Sequence, residues 1–86
     1  MDTWRKLILE EMKVHNETMD DIIFSTLTKQ QMNIEFNSGY GGTNGIGFTI
    51  WTKNRVYFPC CYDGAEWAES VSRNPDGKPT EHIGGG

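Results

Sequence analysis

No apolar run in this chain exceeds a few residues; the longest are Leu7-Ile8-Leu9 and Ile22-Ile23-Phe24. A bilayer-spanning helix needs about 20 consecutive apolar residues, so the sequence offers none. With no signal-peptide pattern at its start, the expected compartment is the cytosol. Basic residues are scarce: eight Lys and Arg stand against twelve Asp and Glu, for a net charge of −4. Generic nucleic-acid binding runs on phosphate neutralisation by clustered cations, and that balance argues against it. An acidic surface keeps a small protein soluble, or suits a partner with a basic surface. There are only two cysteines, adjacent at Cys60 and Cys61, with no CxxC and no second pair, so a structural zinc framework is not expected. In a strand, neighbouring side chains point to opposite faces, so these two thiols should diverge. At 86 residues the chain reads as one domain, 1–86, too short for separate cofactor and substrate domains, and no cofactor or metal is expected.

What is present begins with helical spacing. Trp4, Leu7, Ile8 and Met12 fall on one face of a helix over residues 3–14, leaving Arg5, Lys6, Glu10 and Lys13 outside. Thr18 followed by Asp21 predicts a capped start of a second helix, with Asp20 and Asp21 in its first turn and Met19, Ile22, Ile23 and Leu27 buried. Thr28 with Gln31 repeats the capping signature for a third, carrying Met32 and Phe36. Residues 37–47, NSGYGGTNGIG, form a glycine-rich connection with Tyr40 as its one large side chain. The stretch lacks GxxxxGK[ST] and is followed by no helix, so it does not read as a phosphate loop.

FTIWTKNRVYFPCCYDG, residues 48–64, then predicts a hairpin. A three-residue turn at Thr52-Lys53-Asn54, with Asn54 in the left-handed region, sets Phe48, Ile50, Val56, Phe58 and Cys60 on a core face. Thr49, Trp51, Arg55 and Tyr57 then point outward. A two-residue turn at Lys53-Asn54 would instead mix core and surface on both faces. Asp63-Gly64 predicts a second hairpin, returning as AEWAESV. A two-residue turn there pairs Cys60 with Trp67, Val56 with Val71 and Phe58, awkwardly, with Glu69, so either Glu69 lies where the sheet edge is wet or the register is off by one. Residues 73–86, rich in Pro and Gly, read as an extended tail. The expected architecture is α+β: three short N-terminal helices packed on a three-stranded antiparallel β-meander. Its core is predicted from Trp4, Leu7, Ile8, Ile22, Ile23, Leu27, Phe36, Phe48, Ile50, Val56 and Phe58.

No catalytic constellation stands out. A cysteine nucleophile needs a neighbouring base, and His82 sits in an unsupported tail, so Cys60 reads as a small buried hydrophobe and Cys61 as an exposed thiol. Paired acids such as Asp20-Asp21 at a helix start act as caps and solvated charge. The stronger candidate is an aromatic and basic patch on the outward hairpin: Trp51, Lys53, Arg55 and Tyr57, with Tyr40 beside it. Trp, Tyr and Arg dominate interface hot spots. Asp20 and Asp21 form a secondary candidate toward a basic partner.

The pattern W-T-x-x-R-V-Y-F-P (Trp51 to Pro59), Y-D-G (Tyr62 to Gly64) and S-V-x-R-N-P (Ser70 to Pro75) resembles small uncharacterised proteins encoded by tailed phages and prophages. Those proteins also open with a short Trp-containing helix and carry a G-Y-G-G loop like Gly39 to Gly42. The resemblance implies a non-enzymatic inhibitor or adaptor acting in the host cytosol on a host protein or ribonucleoprotein complex, anti-CRISPR proteins being one such class. Two alternatives remain open: a cysteine-dependent or redox-active protein, and a single-stranded nucleic-acid binder using the aromatic hairpin.

Overall fold

The first helix forms as its spacing predicts. In the computed structural model, which describes residues 1–39 and 43–83, α1 runs Trp4–Val14. The Thr3 hydroxyl caps it by accepting the amide of Lys6, and Trp4, Leu7, Ile8 and Met12 are its buried stripe. Both predicted capping boxes are also present, but neither starts a long helix. Thr18 and Asp21 close a single 3-10 turn, Met19–Asp21, and Thr28 and Gln31 close a one-turn helix, α2, Lys29–Met32.

Between them Ile22–Ser25 is a strand, β1, not a helix. A short apolar run fits either state by periodicity, and here the β-branched and aromatic composition of Ile22-Ile23-Phe24 goes with strand pairing. β1 pairs with β2, Ile50–Thr52, which continues through β3, Arg55–Tyr62, and β4, Ala65–Ser72. The result is α+β with one antiparallel four-stranded sheet in the order β1-β2-β3-β4, where three helices and three strands were expected. Ile23, expected in the core, lies at an irregularity in the β1–β2 pairing and is 62% exposed. Residues 73–83 add no helix or strand and are exposed.

α1 lies over β4, and the body is a slab of 36 × 32 × 19 Å. Among the described residues the short dimension holds one helical layer on one sheet. The core sits between them: Trp4, Leu7, Ile8 and Met12 from α1 meet Leu27, Met32, Phe36, Phe48, Ile50, Tyr57 and Ala68. Trp4 is its hub, with the rings of Phe36 and Phe48 at 4.9 and 4.8 Å and its indole N–H donating to the carbonyl of Ile46 at 2.9 Å. Gly45 passes so close that an added Cβ would stand 2.6 Å from the Trp4 ring.

The described part of the glycine-rich stretch is held from the sheet. Glu66, buried on β4, accepts the amides of Asn44 and Gly45 at 2.8 and 2.9 Å. Those two amides are thus engaged by a carboxylate from the protein itself.

Candidate interaction surface

The two hairpins decide which side chains face the helix. Asp63 and Gly64 both adopt positive φ, 51° and 84°, as a tight two-residue turn requires, and the predicted β3–β4 register follows: Cys60 opposite Trp67, Phe58 opposite Glu69, Val56 opposite Val71. The first hairpin departs from expectation. Ile50 pairs with Tyr57 and Trp51 with Val56, so the turn is the two-residue Lys53-Asn54, and Asn54 does not take positive φ. The Thr52 hydroxyl stabilises it by accepting the amides of Asn54 and Arg55 at 3.3 and 2.9 Å.

That register keeps the expected faces of β2, with Ile50 inward and Trp51 outward, and reverses those of β3. The face under α1 carries Ile50, Thr52, Tyr57, Ala68 and Ser70, all buried, a mixed set with three hydroxyls. Its polar atoms are paired. Tyr57 donates its hydroxyl to Glu17 at 2.5 Å, and Thr52 donates to the same carboxylate at 2.9 Å. Ser70 donates to Glu11 at 2.7 Å, and the Glu11 carboxylate also contacts His15 at 3.0 Å. Arg55 wraps over β4, donating through Nε to the Ser70 hydroxyl and through a terminal nitrogen to its carbonyl. Among the described residues no buried side-chain polar atom lacks a partner. Burial, reinforced by the Glu17 carboxylate, pushes the Tyr57 phenol well above the ordinary tyrosine range.

The other face is apolar, and among the described residues no helix or strand lies over it. Alternation along the paired strands puts Phe24, Trp51, Val56 and Val71 in one row across all four strands, with Phe58, Cys60 and Trp67 beside it. Phe24 is 62% exposed and stands edge-on to Trp51 at 5.6 Å, and the others are half-buried. The one charge at these positions is Glu69, which accepts the Trp67 indole N–H at 2.8 Å.

The predicted patch is therefore divided. Trp51 belongs to the open face, Lys53 is exposed at the turn, Arg55 is tied down on the helix side, and Tyr57 is fully buried. Tyr40 lies outside the described residues. Val56 and Phe58, expected in the core, are on the open face, as is Cys60. The reason is partner chemistry: Tyr57, Thr52 and Ser70 find carboxylates on or just after α1, so the polar set is the one covered. Asp20 is exposed, and Asp21 accepts the Thr18 amide at 2.7 Å as a cap. Sequence reasoning missed Phe24, Val71 and Trp67 as surface candidates. The signal for Val71 and Trp67 was the β3–β4 register, which paired them with Val56 and Cys60; Phe24 had none, because β1 read as helix.

The cysteines diverge as expected. Cys61 is exposed on the helix side, near the Thr43 hydroxyl, and Cys60 is half-buried on the open face. Burial, with Glu69 and Glu11 adding to it, pushes the Cys60 thiol up to about 11. A thiol so raised is protonated at neutral pH and a poor nucleophile. Alkylation at pH 8 should therefore modify Cys61 first and Cys60 much more slowly, a difference that mass spectrometry of peptides resolves. Equal rates would contradict the placement of Cys60. Because its folded value lies above the ordinary 9.0, the neutral thiol contributes stability below pH 9 that is lost as pH rises through 11.

Among the described residues no group of three His, Cys, Asp or Glu is arranged to hold a metal ion, and no helix is long and apolar enough to cross a membrane. Compared with protein-family models, curated proteins and solved structures, the chain matches none.

Proposed function

We propose that this is a non-enzymatic binding protein that docks on a partner protein through the open face of its sheet. One observation carries the reading: the sheet leaves its more apolar side uncovered and packs its more polar side against the helix. Isolated exposed apolar residues are ordinary, but a contiguous aromatic and aliphatic face marks an interaction surface. The size, acidity and phage-protein resemblance of the chain fit an inhibitor or adaptor of a host protein complex, with anti-CRISPR proteins as one class. Trp51 and Phe24, at the centre and edge of the row, are the expected anchors.

Capture from a bacterial lysate tests this when wild type is compared with Trp51→Ala and Phe24→Asp. A partner retained by wild type should be lost from both, with Trp51→Ala costing about 2 kcal/mol or more in affinity for the purified partner. Equal capture by all three would remove the open face from the function. Lys53→Glu, at the exposed turn, should alter salt dependence only.

A second reading draws on the same rings: Phe24, Trp51, Phe58 and Trp67 on an open sheet resemble a base-stacking platform. It ranks below protein binding because the face positions carry Glu69 and no Lys or Arg. Titration with an oligothymidylate, read by Trp fluorescence, separates the two. Saturable quenching that weakens with salt would favour the nucleic acid.

A further inference from the structure

On the helix side of β1, away from the open face, a second concavity opens between the start of α1, the 3-10 turn and α2. Met19, Ile22, Leu27 and Met32 line it, with Leu27 and Met32 buried and the other two partly buried. Arg5 and Lys29 stand among its lining residues, and Asp20 is the one carboxylate there. All three are exposed. Three cations elsewhere are engaged: Lys6 pairs with Asp2 at 3.1 Å, Arg55 holds Ser70, and Arg73 donates to the Thr52 carbonyl at 3.1 Å. Among the described residues Arg5 and Lys29 take part in no ion pair.

We propose that this cleft is a second docking site, taking a large apolar side chain flanked by carboxylates from an acidic segment of a partner. Two methionines give it walls that adapt to the shape of an inserted side chain. Charge selects the occupant. On a chain of net charge −4, two cations against one carboxylate make this cleft a place where an acidic segment is attracted rather than repelled. A basic segment would meet Arg5 and Lys29 with only Asp20 to offset them. The site is separate from the open face, since Ile22 and Ser25 of β1 line the cleft while Phe24 projects to the other side. Two separate docking sites suit an adaptor.

The test uses the full chain and dye-labelled hexapeptides, read by fluorescence anisotropy. The probe is Asp-Glu-Leu-Phe-Glu-Asp, beside Lys-Arg-Leu-Phe-Arg-Lys and Asp-Glu-Ser-Ser-Glu-Asp. Only the first should bind saturably, and more weakly as salt is raised. Arg5→Glu with Lys29→Glu should weaken it by at least about ten-fold, and Asp20→Asn should strengthen it, because removing the one like charge favours the acidic probe. Phe24→Asp should leave its affinity unchanged, which separates this site from the open face. Circular dichroism checks that each variant is folded; if the double variant is not, Lys29→Ala and Asp20→Asn, both on exposed side chains, carry the same comparison. The proposal is overturned if the acidic probe fails to bind, if the basic or apolar-free peptide binds equally well, or if affinity follows Phe24 and not the cleft charges.

Discussion

Trp4→Ala is expected to cost about 3–5 kcal/mol, the range for removing a buried large ring. The ring is 2% exposed and links three parts of the chain: α1, the Phe36 segment, and the Ile46–Phe48 entry to the sheet. Its loss leaves Phe36 and Phe48 without their shared contact and the Ile46 carbonyl without its donor. Small domains have only about 5–15 kcal/mol in total, so much of the margin would go, and the melting temperature should fall by about 4–8 °C per kcal/mol. Trp51→Ala is the control. That ring has protein on one side only, so its truncation should lower the melting temperature clearly less. If both variants melt alike, Trp51 is covered and the open-face reading fails.

Glu17→Ala should cost about 2–6 kcal/mol, because it removes the acceptor of two buried hydroxyl donors at roughly 1–3 kcal/mol each. Glu17 is 8% exposed just after the left-handed Asn16, where the chain turns out of α1, and its carboxylate takes both Tyr57 and Thr52. Tyr57→Phe removes one donor and keeps the ring, so it should cost less, about 1–3 kcal/mol. Denaturant unfolding of the two single variants and the double should show strong coupling, since the second change removes a group whose partner is already gone. Additive losses would mean the hydroxyl–carboxylate bond contributes nothing. The same contact has an alkaline signature. The Tyr57 phenol titrates above the ordinary 10.0, so its neutral form stabilises the fold below pH 10 and that contribution is lost as pH rises beyond it. Tyr57→Phe should flatten the decline in stability above pH 10.

Local chemistry was legible in the residues themselves. The α1 stripe, the Asp63-Gly64 turn and the register it imposes depend on groups a few positions apart and formed as read. Both capping boxes formed too, but without the helices they were expected to start. The pairing of Phe58 with Glu69 looked wrong only while that face was assumed to be the core. On an open face the carboxylate is accommodated, bonded to Trp67. Ile22–Ser25 was not legible. Its partner strand lies more than twenty residues further on, and the run alone fits helix or strand.

Alternation along each strand determined that neighbouring side chains of FTIWTKNRVYFPCC diverge. The two-residue Lys53-Asn54 turn, not the expected three-residue one, put Trp51 with Val56 and Phe58 and Ile50 with Tyr57, giving one aromatic and aliphatic set and one mixed. Which set is covered was decided by tertiary structure. α1 brings Glu11 into position, the turn after it brings Glu17, and a buried hydroxyl needs such a partner while an apolar ring does not. The hydroxyls of Tyr57, Thr52 and Ser70 found carboxylates on the helix side, so that side closed, and Phe24, Trp51, Val56, Phe58 and Val71 were left facing out.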